Sequence, residues 1–157
     1  KYDKEGFLDP NVNKSKCVNC NLCNKVCSSI NKNKEIYNHP ISYSCINKDE
    51  KIRLNSSSGG IFTLIATYVL EKKGVVFGVK FDKNFNVVHD YIENIEDLWK
   101  FRGSKYTQSK IGITYSEAKK FLNQGRIVLF TGTPCQIGGL KKFLGKEYDN
   151  LYNLFFA

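Results

Sequence analysis

The chain has 157 residues, of which 41% are hydrophobic and 13% aromatic, and a formal net charge of +9. That hydrophobic share excludes a wholly disordered chain, and no apolar run approaches the roughly 18 residues of a transmembrane helix. The positive charge is spread along the chain without a block of five like charges, which reads as a lysine-rich solvated surface rather than a tract built for nucleic acid.

Lys1 to Pro10 contain no apolar segment able to serve as a signal peptide, so the expected location is cytoplasmic. A chain that begins at Lys1 and has no methionine reads as a fragment, and its last residues, NLYNLFFA (150–157), read as a strand leading into further structure. Residues 1–52 are rich in Asn, Lys and Cys and poor in periodicity. Such a segment buries too little apolar area to fold unaided, so it is expected to be a small module stapled by metal. The boundary is placed at 51–55, after a short strand at 41–46, and residues 53–157 form a second, α/β domain.

Cys17, Cys20, Cys23 and Cys27 stand at C-x2-C-x2-C-x3-C spacing, the bacterial ferredoxin pattern for a 4Fe-4S cluster. Zinc is the chemical rival, but zinc sites usually pair two knuckles across a dozen or more residues, whereas here three ligands arrive at successive two-residue gaps. Ser28 replaces the usual proline after the fourth cysteine. Cys27 therefore either completes this cluster or serves another, with a remote cysteine completing this one. Cys45, within an apolar alternation, is expected to be a core thiol.

Ile61, Leu64, Ile65, Tyr68 and Val69 follow helical spacing, which predicts a helix over 59–73 with serine N-caps and Gly74 at its end. Residues 75–82 and 87–93 predict a hairpin turning at 83–86. A short helix from Asn94 carries Leu98, Trp99 and Phe101 as core residues. Thr114 and Glu117 have capping-box spacing for a helix ending at Gly125, and residues 126–131 predict a buried strand. Thr133 as N-cap, Pro134 at the first helical position, a helix to Leu144, Gly145 and a final strand then complete a parallel βαβ unit. His39 and His89 look isolated, and no carboxylate pair suggests an acid–base couple, so no residue is assigned a catalytic role.

NSSSGGIF (55–62), FRGSKYTQS (101–109) and VLFTGTPCQIGGLKKFL (128–144) together resemble the coenzyme F-420 hydrogenase/dehydrogenase beta-subunit family. Glu5–Gly6–Phe7 likewise resembles the spacer between that family's two cluster motifs. The resemblance implies an iron-sulfur flavoprotein in which a ferredoxin-like part exchanges electrons with FAD held by an α/β domain. Its implied partners are a redox protein, a deazaflavin or another small-molecule electron donor, with no nucleic acid. The chain departs from the family in lacking an upstream C-x2-C-x2-C motif and the Cys-His-Gly segment that follows the last strand.

With that resemblance, Ser57, Ser58, Gly59 and Gly60 are expected at a phosphate or ribityl group near a helix N-terminus. Ser104, Lys105, Tyr106 and Gln108 are expected at the cofactor, Lys105 with Arg102 facing a pyrophosphate. Thr131, Gly132, Thr133, Pro134, Cys135 and Gln136 lie where a parallel strand enters a helix, a usual ligand position in α/β sheets. Cys135 reads equally as a redox thiol, a remote cluster ligand or a small buried residue. The alternatives to a flavin oxidoreductase are a ferredoxin-type electron carrier without its own flavin and a zinc-stapled nucleic-acid module, which would be colourless and sensitive to salt.

Overall fold

A computed structural model describes residues 3–7, 9–27, 30 and 41–155. Ser28, His39 and the last two residues of the expected final strand lie outside the described residues. The chain divides into two compact units, Lys1–Asn33 and Lys34–Ala157. The boundary expected between 52 and 53 falls within the second unit, inside helix α2 (Glu50–Leu54).

The first unit is a series of turns with one short helix, α1 (Leu22–Val26), which buries none of its residues. Val18 and Leu22 are exposed, so its described apolar side chains form no core.

The second unit is a four-stranded mixed sheet of order β2-β1-β3-β4, with β1 Val75–Phe81, β2 Val87–Ile92, β3 Val128–Gly132 and β4 Leu151–Phe155. β1 and β2 form the expected antiparallel hairpin. β1, β3 and β4 are mutually parallel. β3 is buried throughout, which suits a central strand covered on both faces.

Alternation along the strands sends side chains to opposite layers. Val75, Phe77, Val128 and Phe130 pack with α4 (Thr114–Asn123) and α5 (Pro134–Leu144), while Val76 and Leu129 pack with α3 (Ile61–Glu71) and the 3-10 helix Ile95–Phe101. The sheet is thus sandwiched between helices, and β3-α5-β4 is the parallel unit read from the sequence. Thr133 and Gln136 form a capping box, Pro134 opens α5 and Gly145 closes it in left-handed backbone.

Several local expectations are corrected. Residues 41–46 form no strand, and Cys45 is exposed rather than a core thiol. Their alternation has no sheet neighbour to bury against; instead Asn47 N–H donates to the Gly59 carbonyl at 2.6 Å, laying the segment over the start of α3. The N-cap of α3 is Gly60, with φ of 76°, and not a serine. Its buried face is Thr63, Ala66, Val69 and Leu70, leaving Leu64 55% and Tyr68 52% exposed. The apolar arc of this helix is so wide that periodicity alone does not select the buried side, and the small Thr63 and Ala66 allow the closer approach. Thr114 makes no cap: Ile113 is the N-cap and the Thr114 hydroxyl donates to the Ile111 carbonyl. Trp99 is 65% exposed, whereas its neighbours Leu98 and Phe101 are buried.

Phe101 also explains Gly78 in the middle of β1. A Cβ there would stand 2.6 Å from the Phe101 ring. Gly78→Ala should therefore cost about 2 kcal/mol by overpacking, measured by urea unfolding, and a change under about 0.5 kcal/mol would mean that the ring moves aside freely.

Candidate functional site

α3 leads into β1 through a tight turn, with Gly74 N–H donating to the Val69 carbonyl at 2.9 Å. It therefore runs back along β1, and its N-terminus lies towards the carboxyl edge of the parallel strands. α5 leaves β3 at that same edge. The three sequence segments expected at a cofactor are linked there.

The Ser104 backbone N–H donates to Ser57 Oγ at 3.0 Å, joining the 101–109 loop to the serine-glycine turn ahead of α3. Arg102 Nε donates to Thr63 Oγ1 at 3.3 Å and strengthens that junction. At the far end of the loop, Gln136 Nε2 donates to Ser109 Oγ at 2.8 Å, joining it to α5. Gly59 and Gly60 serve close packing here: a Cβ on Gly59 would lie 2.6 Å from the Cys45 carbonyl oxygen.

Ser57, Ser58 and Ser104 are exposed, and Tyr106 is 96% exposed, so this face of the loop is open to solvent. Lys105 differs. Its Nζ donates to the carbonyls of Arg102 at 2.7 Å and Lys100 at 3.4 Å, and burial holds its ammonium below the ordinary value of 10.5. The side chain tightens its own turn while carrying a cation to this edge.

Thr131 and Gly132 are buried, whereas Thr133, Pro134 and Cys135 are exposed. The exposure of Cys135 excludes its reading as a buried residue, and its Sγ lies 3.0 Å from Thr133 Oγ1. The Thr133 N–H donates to Gln136 Oε1 at 3.0 Å. Tyr115 donates its hydroxyl to the Gln136 carbonyl at 2.6 Å, and burial, with Cys135 nearby, raises its phenol to about 12.

The expectation that His89 is isolated is corrected, and Ser109 had been given no role at the site. His89 is buried between Ser109 Oγ at 2.9 Å and the Thr131 carbonyl at 3.0 Å, and Ser109 connects it to Gln136. The signal was available in its inward parity on β2, where a polar side chain requires partners.

In the first unit, Cys17, Cys20 and Cys23 are exposed and Cys27 is half-buried. Asn19 and Asn21, on either side of Cys20, have left-handed backbone with φ of 53° and 59°. Cys23 rides on α1, and Cys27 ends it with its N–H donating to the Asn24 carbonyl. Among the described residues no three His, Cys, Asp or Glu side chains converge as a metal site. In donor type and spacing the four thiols suit an iron-sulfur cluster; their present arrangement does not gather them.

Residues 42–112 match the sequence family described as coenzyme F420 hydrogenase/dehydrogenase, beta subunit N-term. The matched stretch takes in the serine-glycine turn and the 101–109 loop; the cysteine loop precedes it and the 131–136 turn follows it. Among solved structures, a chain of the F420-reducing [NiFe] hydrogenase complex from Methanosarcina barkeri is similar, at 26% identity and a TM-score of 0.50. The similarity covers 62% of this chain and 34% of that one, so this chain spans about a third of its length. No curated protein sequence matches. No helix among the described residues is long and apolar enough to cross a membrane.

Proposed function

We propose that this chain, whose residues 42–112 match the coenzyme F420 hydrogenase/dehydrogenase beta-subunit N-terminal model, is the electron-transfer part of an iron-sulfur flavin oxidoreductase. In this reading Cys17, Cys20, Cys23 and Cys27 hold a 4Fe-4S cluster, and the carboxyl edge of the sheet holds FAD. The electron partners are a redox protein or a deazaflavin-type hydride carrier.

One observation carries the flavin assignment. The Ser104–Ser57 and Ser109–Gln136 hydrogen bonds draw three segments distant in sequence to a single edge of an α/β sheet. Open α/β sheets bind ligands at that edge, and the N-termini of α3 and α5 there favour an anion such as a pyrophosphate. FAD supplies the conversion between hydride and single-electron transfer, and the cluster supplies one-electron transfer. The chain's own contribution is positional: Ser57 and Ser58 present hydroxyls, Gly59 and Gly60 let Cys45 and Asn47 pack closely beside them, and Lys105 supplies a cation beside Ser104.

Anaerobically purified protein, analysed for iron, sulfide and flavin and titrated with FAD, tests the proposal. Bound iron with saturable FAD binding is the expected result. Iron without FAD binding would overturn the flavin assignment in favour of an electron carrier, and zinc in place of iron would overturn both. Lys105→Ala is expected to weaken FAD binding at least about tenfold, as loss of a charge-assisted contact would; equal affinity would remove Lys105 from the site.

A further inference from the structure

The pairing of β1 with β3 runs from Val75↔Val128 to Phe77↔Phe130 and stops, although β3 continues to Gly132 and stays paired with β4 to its end. At the point where the two central strands part, the Thr131 carbonyl needs a donor from elsewhere. His89 provides it. The residue lies on β2, two strands from β3 in the sheet, and its imidazole reaches across β1 to the Thr131 carbonyl at 3.0 Å. Its ring stacks on Phe130 at 5.5 Å and 11°.

A carbonyl only accepts, so Nε2 carries the proton, and in the neutral ring Nδ1 accepts from the Ser109 hydroxyl at 2.9 Å. The Ser109 oxygen then accepts from Gln136 Nε2, whose orientation follows from Oε1 accepting the Thr133 N–H. Each group in the chain from β2 to the first turn of α5 has one consistent role. Gly132 leaves room for it, since a Cβ there would meet Gln136 Oε1 at 2.9 Å and His89 Nε2 at 3.4 Å.

We propose that His89, as the neutral Nε2–H tautomer, is a positioning residue that holds the Thr131–Gln136 turn in the form that receives the cofactor. It acts through Ser109 and Gln136 and does not touch the cofactor itself. Burial, which disfavours an imidazolium and holds His89 below its ordinary 6.5, agrees with a neutral ring. The consequence for flavin rests on the function proposed above, whereas the ordering of the turn does not.

Three measurements on the whole chain test this. In wild-type protein at pH 7, long-range proton–nitrogen spectra of the His89 ring should show a proton on Nε2 and none on Nδ1; an Nδ1–H or doubly protonated ring overturns the proposal. His89→Phe keeps an aromatic ring on Phe130 but removes both hydrogen bonds, and Ser109→Ala breaks the chain one link further on. Each folded variant should show amide exchange at Thr133 and Gln136 about tenfold faster than wild type and FAD affinity about tenfold weaker. A histidine that only stabilised the fold would lower the melting temperature while leaving both of those values unchanged. If wild-type protein binds no FAD, the flavin reading falls, and the exchange and tautomer results still decide the positioning role.

Discussion

Cys20→Ala is expected to abolish stable iron-sulfur incorporation. Cys20 is the middle of three thiols at successive two-residue gaps, and the left-handed Asn19 and Asn21 fix the backbone on both sides of it. With one thiolate gone, a cubane would have an open iron. The loss should extend to structure, because α1 buries none of its residues and the metal is the source of stability this unit would rely on. Iron and sulfide content and visible absorption of anaerobically purified protein measure it. Cys45→Ala, at an exposed thiol outside the spacing, should keep the wild-type complement. A full cluster in Cys20→Ala would overturn the ligand assignment, while loss in Cys135→Ala with retention in Cys27→Ala would transfer the fourth ligand to α5.

Phe130→Ala should destabilise the second unit by about 4 kcal/mol, a large fraction of the total for a small domain. The ring has no solvent exposure and is enclosed by Phe77 at 5.3 Å, His89 at 5.5 Å and Tyr115 at 5.7 Å. These neighbours come from β1, β2 and α4, so no single element can shift to fill the void. Urea unfolding should show a lower midpoint at an unchanged slope. A cost under about 1 kcal/mol would mean that the core collapses around the truncation and that Phe130 does not organise it. Because His89 leans on this ring, the variant should also bind FAD more weakly than its loss of stability alone would produce.

The elements legible from sequence were those specified by local chemistry. The βαβ unit was readable because Thr133, Pro134 and Gly145 each act within one turn of where they stand, and the hairpin because its two β-branched runs flank a single turn. The readings that failed depended on neighbours. The alternation at 41–46 matched that of a strand, yet no sheet edge receives it. Trp99 and Leu98 are adjacent in one short helix, and only the direction of packing separates an exposed ring from a buried one. For α3, a nearly all-apolar sequence left the buried face to the shape of the sheet beneath it.

The candidate site divides in the same way. The four-cysteine spacing, the serine-glycine turn, the 101–109 loop and the Thr131–Gln136 turn were identifiable from sequence, because each is a short run whose residue types and spacing carry its chemistry. That the last three meet at one edge of the sheet, and that His89 and Ser109 tie two of them together, was decided by tertiary structure alone. His89 and Thr131 are 42 residues apart, and no local pattern records that β1 and β3 part between Phe77 and Thr131 and leave a carbonyl for a histidine two strands away.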